Sequence, residues 1–219
     1  AALGERMLAV TVRSPVESLG DVASAQALAE QIGFPLRVLD YNDLDNPEFV
    51  SNSPDRCYVC KLARFRLLKE LAAKEGFTAL VEGSNADDLG DYRPGRRAVA
   101  ETGTVSPLLE LGFTKNEIRA LSKALGLSVW NRPSAPCLAT RFPYGSSVTL
   151  AGLQQVAEGE RCLDRLDRGG AGNLRKLLEV VVAVNLEGKA EILGRPEMRD
   201  VDVMARVGAA HVEAVGGAR

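Results

Sequence analysis

Apolar positions along the first half of the chain switch between two periods. Met7–Thr11 is a short apolar, β-branched run that reads as a strand. Val22, Ala25, Leu28, Ala29 and Ile32 then fall at helical spacing, Gly33 stops the run, and Leu36–Leu39 supplies a second strand. Leu62–Glu75, closed by Gly76, is the next helix, and Thr78–Glu82 the third strand. Strands alternating with helices of this length imply a parallel sheet flanked by helices, so the expected fold class is α/β.

Downstream, Pro107–Leu125 reads as a helix with an internal start signal: Thr114 can cap and Glu117 can complete a capping box, and Gly126 ends it. Trp130 is read as a core residue in preference to a stacking platform. The character changes near Gly145–Leu150, where a domain boundary is placed. A helix to Leu166, a flexible joint at Asp167–Asn173 and an apolar run at Val180–Val184 follow, so residues 150–219 are expected to form a small α+β domain.

The chain of 219 residues is 46% hydrophobic and 26% charged, which suits a globular protein able to build a core without disulfide staples. A net charge of -2 argues against a protein that coats nucleic-acid phosphates. No apolar run approaches the length of a membrane span and no leader pattern is visible, so a cytoplasmic location is expected. Cysteine is ordinarily reduced there, which favours ligand or catalytic roles for the thiols.

Chemistry concentrates in Arg56-Cys57-Tyr58-Val59-Cys60-Lys61, where two thiols three residues apart stand between two cations. Positive charge and a partly exposed turn lower a thiol's pKa and favour the thiolate, the form that attacks electrophiles and binds soft metals. Cys137 lies in a second basic loop, Arg132-Pro133-Ser134-Ala135-Pro136-Cys137-Leu138-Ala139-Thr140-Arg141. The three cysteines suggest one shared site. Inert packing is the bland alternative. Structural zinc is weaker, because Cys162 sits in a helix and His211, the single histidine, lies near the C-terminus. A thioredoxin-type dithiol is weak too, since a polar loop and not a buried strand precedes Cys57.

Thr78–Glu82 runs straight into Gly83-Ser84-Asn85-Ala86-Asp87-Asp88-Leu89-Gly90-Asp91-Tyr92-Arg93-Pro94-Gly95. Loops at the carboxyl ends of parallel strands are where open α/β sheets bind ligands. Glycine permits close backbone approach, and Asp87, Asp88 and Asp91 could hold magnesium beside a nucleotide phosphate. A solvated turn with helix-capping aspartates is the equal alternative.

Four segments taken together, Asn52–Lys61, Glu82–Gly95, Ser106–Leu108 and Pro136–Gly145, resemble the ATP-dependent sacrificial sulfur transferases, LarE, over roughly residues 3–150. The resemblance implies an ATP pyrophosphatase (PP-loop, adenine nucleotide alpha hydrolase-like) domain over residues 1–149 and a C-terminal substrate or oligomerisation domain over 150–219. It implies adenylylation of the carboxylates of a pyridinium dicarboxylate mononucleotide and their conversion to thiocarboxylates, in biosynthesis of the nickel-pincer nucleotide cofactor. One branch of that family sacrifices the sulfur of a single cysteine, matching Cys137. Another, matching Cys57, Cys60 and Cys137, holds a [4Fe-4S] cluster on three thiolates, and this sequence has all three.

ATP, Mg2+ and the cluster are therefore the expected cofactors. Gly83, Ser84, Asn85, Asp87 and Asp88 are the nucleotide-binding candidates, and Arg56, Lys61, Arg93 and Arg141 the candidates for substrate phosphate. The expected partners are a small-molecule nucleotide substrate and further copies of the chain, with no nucleic acid and no membrane. The Ser-Gly-Gly-X-Asp-Ser phosphate loop of such families has no counterpart in this sequence, which is expected to lack the segment that carries it. Leu186-Glu187-Gly188 is similar to a C-terminal family segment, while the basic strand for the substrate phosphate is not recognisable in residues 167–219. Two rival functions stand beside this one: a related tRNA-thiolating enzyme, disfavoured by the balanced charge, and a non-catalytic nucleotide- or metal-binding module.

Overall fold

A computed structural model describes residues 6–18 and 20–168, together with two strands further on, Val181–Val184 and Ala190–Leu193. Strands β1 (Ala9–Arg13) and β2 (Leu36–Asp40) pair in parallel, with Ala9 opposite Leu36 and Arg13 opposite Asp40, and helix α1 (Asp21–Ile32) makes the crossover. Gly33 ends α1 at φ 77°, a conformation a Cβ would penalise, and its N–H donates to the Ala29 carbonyl. β1 starts two residues later than its apolar run. Its first ladder bond is the Ala9 N–H to the Pro35 carbonyl, so the partner strand decides where it begins.

The expected third strand is reduced to a bridge. Val81 pairs in parallel with Val105, the Glu82 N–H donating to Val105 and the Val105 N–H to Leu80, each at 2.9 Å. Among the described residues this segment has a partner on one edge only, and Val81 stays 57% exposed, so the ladder does not extend. Every described pairing up to residue 168 is parallel, and the fold class is α/β.

After the short helix α2 (Pro47–Val50), helix α3 runs over Arg56–Lys74. It starts six residues earlier than its apolar spacing predicts, so Arg56 to Lys61 is helical and not a turn. Helix α4 (Gly95–Thr102) packs along α3. Its inward residues, Gly95, Ala98 and Thr102, are small, which lets the two helices approach closely but leaves no large apolar stripe to read. The Pro107–Leu125 stretch is broken at Gly112 (φ 72°) into α5 (Pro107–Glu110) and α6 (Lys115–Ala124). α6 opens on the expected capping box, with Thr114 accepting the Glu117 N–H and Glu117 accepting the Thr114 N–H. Trp130 is not core: it lies at the surface with the Lys123 ammonium 4.7 Å from its ring centre.

The main core joins Val16, Phe49, Leu138, Ala139, Phe142, Val148, Leu153, Val156 and Ala157. Its last three residues belong to helix α7 (Leu150–Arg168), so the first turns of α7 pack on the segment that carries Cys137. α7 continues to Arg168, through the start of the expected joint, and residues 169–173 of that joint lie outside the described residues. Strands β3 (Val181–Val184) and β4 (Ala190–Leu193) form an antiparallel hairpin. Leu186–Gly188, His211 and most of the expected second domain lie outside the described residues.

Candidate functional site

Cys57 and Cys60 stand in the first two turns of α3, three residues apart and therefore on one face of the helix. Cys137 arrives from the other side, immediately before a single 3-10 turn at Leu138–Arg141. Its segment is tied to the loop after β1: the Leu138 N–H donates to Val16 (2.9 Å) and the Ser18 hydroxyl to the Pro136 carbonyl (2.7 Å). All three thiols line one cavity of about 440 Å³, walled by Val10–Val12 of β1 and by Arg56, Lys61, Arg64 and Phe65 of α3.

A buried carboxylate, Asp43, organises one wall. It accepts from the Ser14 hydroxyl (2.6 Å), the Cys60 thiol (3.2 Å) and Arg64 through Nε (3.2 Å) and Nη2 (2.6 Å). Arg64 also pairs with Glu17. Burial alone would lower the Arg64 pKa, and the Asp43 hydrogen bond with the negative charge around it raises it instead. At Cys60 and Cys137 burial outweighs the nearby cations. Burial pushes the Cys60 thiol far above its ordinary value, Arg64 offsets this only in part, and Asp43 adds to the rise. Cys137 is raised as well, by burial first, with Arg56 acting in the opposite sense.

Arg56, 3% exposed, is committed to the protein: its Nη1 donates to the Asn52 side-chain carbonyl and to the Ala139 carbonyl (2.8 Å), and Tyr144 covers it with its ring centre 5.8 Å away. Lys61 pairs with Glu82 at 2.9 Å. Burial favours the neutral acid at Glu82, but hydrogen bonds from Ser106, Ser84 and Lys61 outweigh it and hold the carboxyl at about 2. Glu82 thus links the cavity to the loop that follows it, a junction the sequence reading missed.

In that loop the aspartates shape the backbone. Asp88 is buried, accepts the Asn85 N–H (3.0 Å) and pairs with Arg93 (3.0 Å), while Asp87 accepts the N–H of Lys115, the first residue of α6 (2.8 Å). Arg93 also pairs with Asp91, and Arg141 makes two contacts to Glu160 on α7. Of the residues singled out from the sequence, Arg56, Cys57, Cys60, Lys61 and Cys137 share the cavity. Gly83, Ser84, Asn85, Asp87, Asp88, Arg93 and Arg141 do not line it, and the loop reaches it through Glu82.

Asp43, Arg64 and Glu17 escaped sequence reading, as did the role of Asn52, which enters only as the first residue of the Asn52–Lys61 segment. Asp43 and Asn52 look like ordinary loop polars in Asp43–Pro54, and only their burial, 1% and 0% exposed, marks them. Among the described residues no group of three or more His, Cys, Asp or Glu side chains is arranged to hold a metal ion. Cys162 lies on α7 beside Glu158, away from the cavity lining. No helix among the described residues is long and apolar enough to cross a membrane.

The chain is 42% identical over 164 residues to an uncharacterized protein of Synechocystis sp., an alignment covering 75% of this chain and 61% of the relative. It is 33% identical over 162 residues, 74% of this chain and 59% of the relative, to the pyridinium-3,5-bisthiocarboxylic acid mononucleotide synthase of Lactiplantibacillus plantarum. An uncharacterized protein of Methanocaldococcus jannaschii is 28% identical over 162 residues, covering 74% of this chain and 62% of that protein. The chain thus spans about 60% of the length of the curated relatives it matches. No family model matches it.

Proposed function

We propose that this chain carries the nucleotide-binding and sulfur-delivering part of an ATP-dependent sulfur transferase of the LarE type, acting in nickel-pincer cofactor biosynthesis. Its product is the one named for the L. plantarum relative, a pyridinium-3,5-bisthiocarboxylic acid mononucleotide. The observation that carries this reading is the convergence of Cys57, Cys60 and Cys137 on one cavity, in a chain 33% identical to that synthase.

A carboxylate is a poor electrophile. Attack of its oxygen on the α-phosphorus of ATP, with departure of pyrophosphate, yields a mixed anhydride with AMP. A sulfur nucleophile then adds at the acyl carbon, the bond from that carbon to the bridging oxygen breaks, and AMP leaves carrying the oxygen that the carboxylate supplied. The loop Gly83–Asp88, at the carboxyl end of the Leu80–Glu82 segment, is the place for ATP and Mg2+. Asp87 and Asp88 hold that loop in shape through the Lys115 and Asn85 amides. Lys61, bridging Glu82 to the cavity, stands between the nucleotide end and the thiols.

The donor set at the cavity has the chemistry of an iron-sulfur site: it offers three thiols from two separate elements, and iron-sulfur clusters are held by thiolates. Cys57, Cys60 and Cys137 would hold the cluster, which when bound supplies exchangeable sulfur for transfer. Cys60 then gives up its proton, Arg64 being the cation beside it.

The deciding experiment reconstitutes the full-length protein anaerobically with iron and sulfide and supplies ATP and the pyridinium dicarboxylate mononucleotide. Thiocarboxylate, AMP and pyrophosphate should form over several turnovers, the protein should keep its intact mass, and Cys57→Ala should abolish activity as completely as Cys137→Ala. An active Cys57→Ala variant, with wild type ending as dehydroalanine at residue 137, replaces the cluster by sacrificial chemistry. No AMP or pyrophosphate from either protein overturns the sulfur-transferase reading itself.

A further inference from the structure

Asn52 has three properties that rarely coincide in a loop residue. It is fully buried, it adopts the left-handed backbone conformation (φ 54°), and each of its side-chain polar groups is engaged. Its Nδ2 donates to the carbonyls of Pro143 (2.7 Å) and Ser146 (2.8 Å), and its Oδ1 accepts from Arg56. Arg56 in turn donates to Ala139 at 2.8 Å. The backbone repeats the connection, with the Gly145 N–H donating to the Asn52 carbonyl and the Val148 N–H to Val50, both at 3.0 Å. Two side chains at the entry to α3 therefore grip three carbonyls of the segment that follows Cys137.

This grip lies beside the thiols. Arg56 precedes Cys57 directly, and the gripped carbonyl of Ala139 is two residues from Cys137. The guanidinium is buried with neutral acceptors and a ring face around it, an expensive arrangement to hold unless its geometry matters. Asparagine suits position 52 on both counts: it tolerates the left-handed region, and it alone among such residues offers two donors and an acceptor at once.

We propose that Asn52 is a positioning residue: together with Arg56 it clamps the Ala139–Ser146 segment onto the start of α3 and so sets where Cys137 stands relative to Cys57 and Cys60. The inference deepens the preceding reading, in which the three thiols act as one centre.

The clamp is testable without turnover. The reduced full-length protein is treated with dibromobimane, which fluoresces once both arms have joined thiols, and the linked peptides are assigned by mass spectrometry. Wild type should give linkage from Cys137 to Cys57 or Cys60 as well as linkage between Cys57 and Cys60. Asn52→Gly keeps the backbone conformation and removes the side chain. Linkage to Cys137 should fall about tenfold, the population shift expected from losing one or two buried hydrogen bonds. Linkage between Cys57 and Cys60, both on α3, should stay unchanged and serves as the control for a folded helix.

Asn52→Asp retains the acceptor for Arg56 but loses both donors, and should behave as Asn52→Gly does. Wild-type linkage to Cys137 in Asn52→Gly overturns the proposal. A parallel loss of both linkages, showing general unfolding, moves the test to Arg56→Lys, whose shorter reach should lower only the Cys137 linkage. Failure there also overturns the clamp. Because linkage requires no ATP or substrate, a failed clamp and a failed assignment of sulfur transfer give separate signatures.

Discussion

Deleting the Asp43 carboxylate should cost the fold about 3 kcal/mol, the lower end of the range for removing one partner of a buried ion pair. The lower end follows from the geometry. Asp43 is 1% exposed and accepts from Ser14, Cys60 and two nitrogens of Arg64. In Asp43→Ala the Arg64 side chain, 18% exposed, keeps Glu17 as partner, so its charge is not wholly stranded. Within that total, the acceptors lost by Ser14 and Cys60 account for about 1 kcal/mol apiece. For a chain of this size about 3 kcal/mol lowers Tm by about 6–12 °C. Denaturant unfolding at pH 7, followed by far-UV circular dichroism, would compare wild type, Asp43→Ala, Arg64→Met and the double variant. With both charges gone the cost of burying an uncompensated ion disappears, so the double variant should lose clearly less than the sum of the singles. An Asp43→Ala protein within about 0.5 kcal/mol of wild type, or strictly additive losses, would refute the reasoning.

Three further substitutions test the local environments of Glu82, Gly152 and Gly159. The Glu82 carboxyl is held at about 2 in the fold against an ordinary 4.5, so its ionised form stabilises the protein above the ordinary value, and that stabilisation is lost as pH falls from about 4.5 toward about 2. The stability gap between wild type and Glu82→Gln, measured by denaturant unfolding, should therefore shrink from pH 7 to pH 2.5, and a constant gap would contradict the assignment. In α7, a Cβ added at Gly152 would lie 2.6 and 2.8 Å from Cζ and Cε1 of the buried Phe142, whereas one added at Gly159 meets nothing within 4 Å. Gly152→Ala should cost about 1–3 kcal/mol by overpacking. Gly159→Ala should gain up to about 1 kcal/mol from helix propensity, and thermal melts that reverse this order would disprove the packing argument.

Local signals in the chain determined much of this protein. The period of apolar residues announced α1, β2 and α7. The glycines at 33 and 126 marked helix ends because they take up positive φ, and Thr114 with Glu117 announced the start of α6 because a capping box is closed by residues three apart. The cysteines and the Glu82–Gly95 loop were equally legible as candidate chemistry, since residue type and spacing suffice to flag them. Only the tertiary structure decided what each candidate faces. α3 was mistaken at its start because Arg56 and Lys61 look like loop cations, while in the fold one is buried beneath Tyr144 and the other is paired across to Glu82. Asp43 carries no sequence mark, and Asn52 is marked only as the first residue of the Asn52–Lys61 segment. Their roles come from partners far along the chain, Arg64 for the first and Pro143 and Ser146 for the second, and from burial that makes each of those hydrogen bonds costly to lose. A short-range code can state which residues are able to do chemistry; the low-dielectric neighbourhood that raises the Cys60 and Cys137 thiols and brings them to one cavity exists only once distant segments have packed.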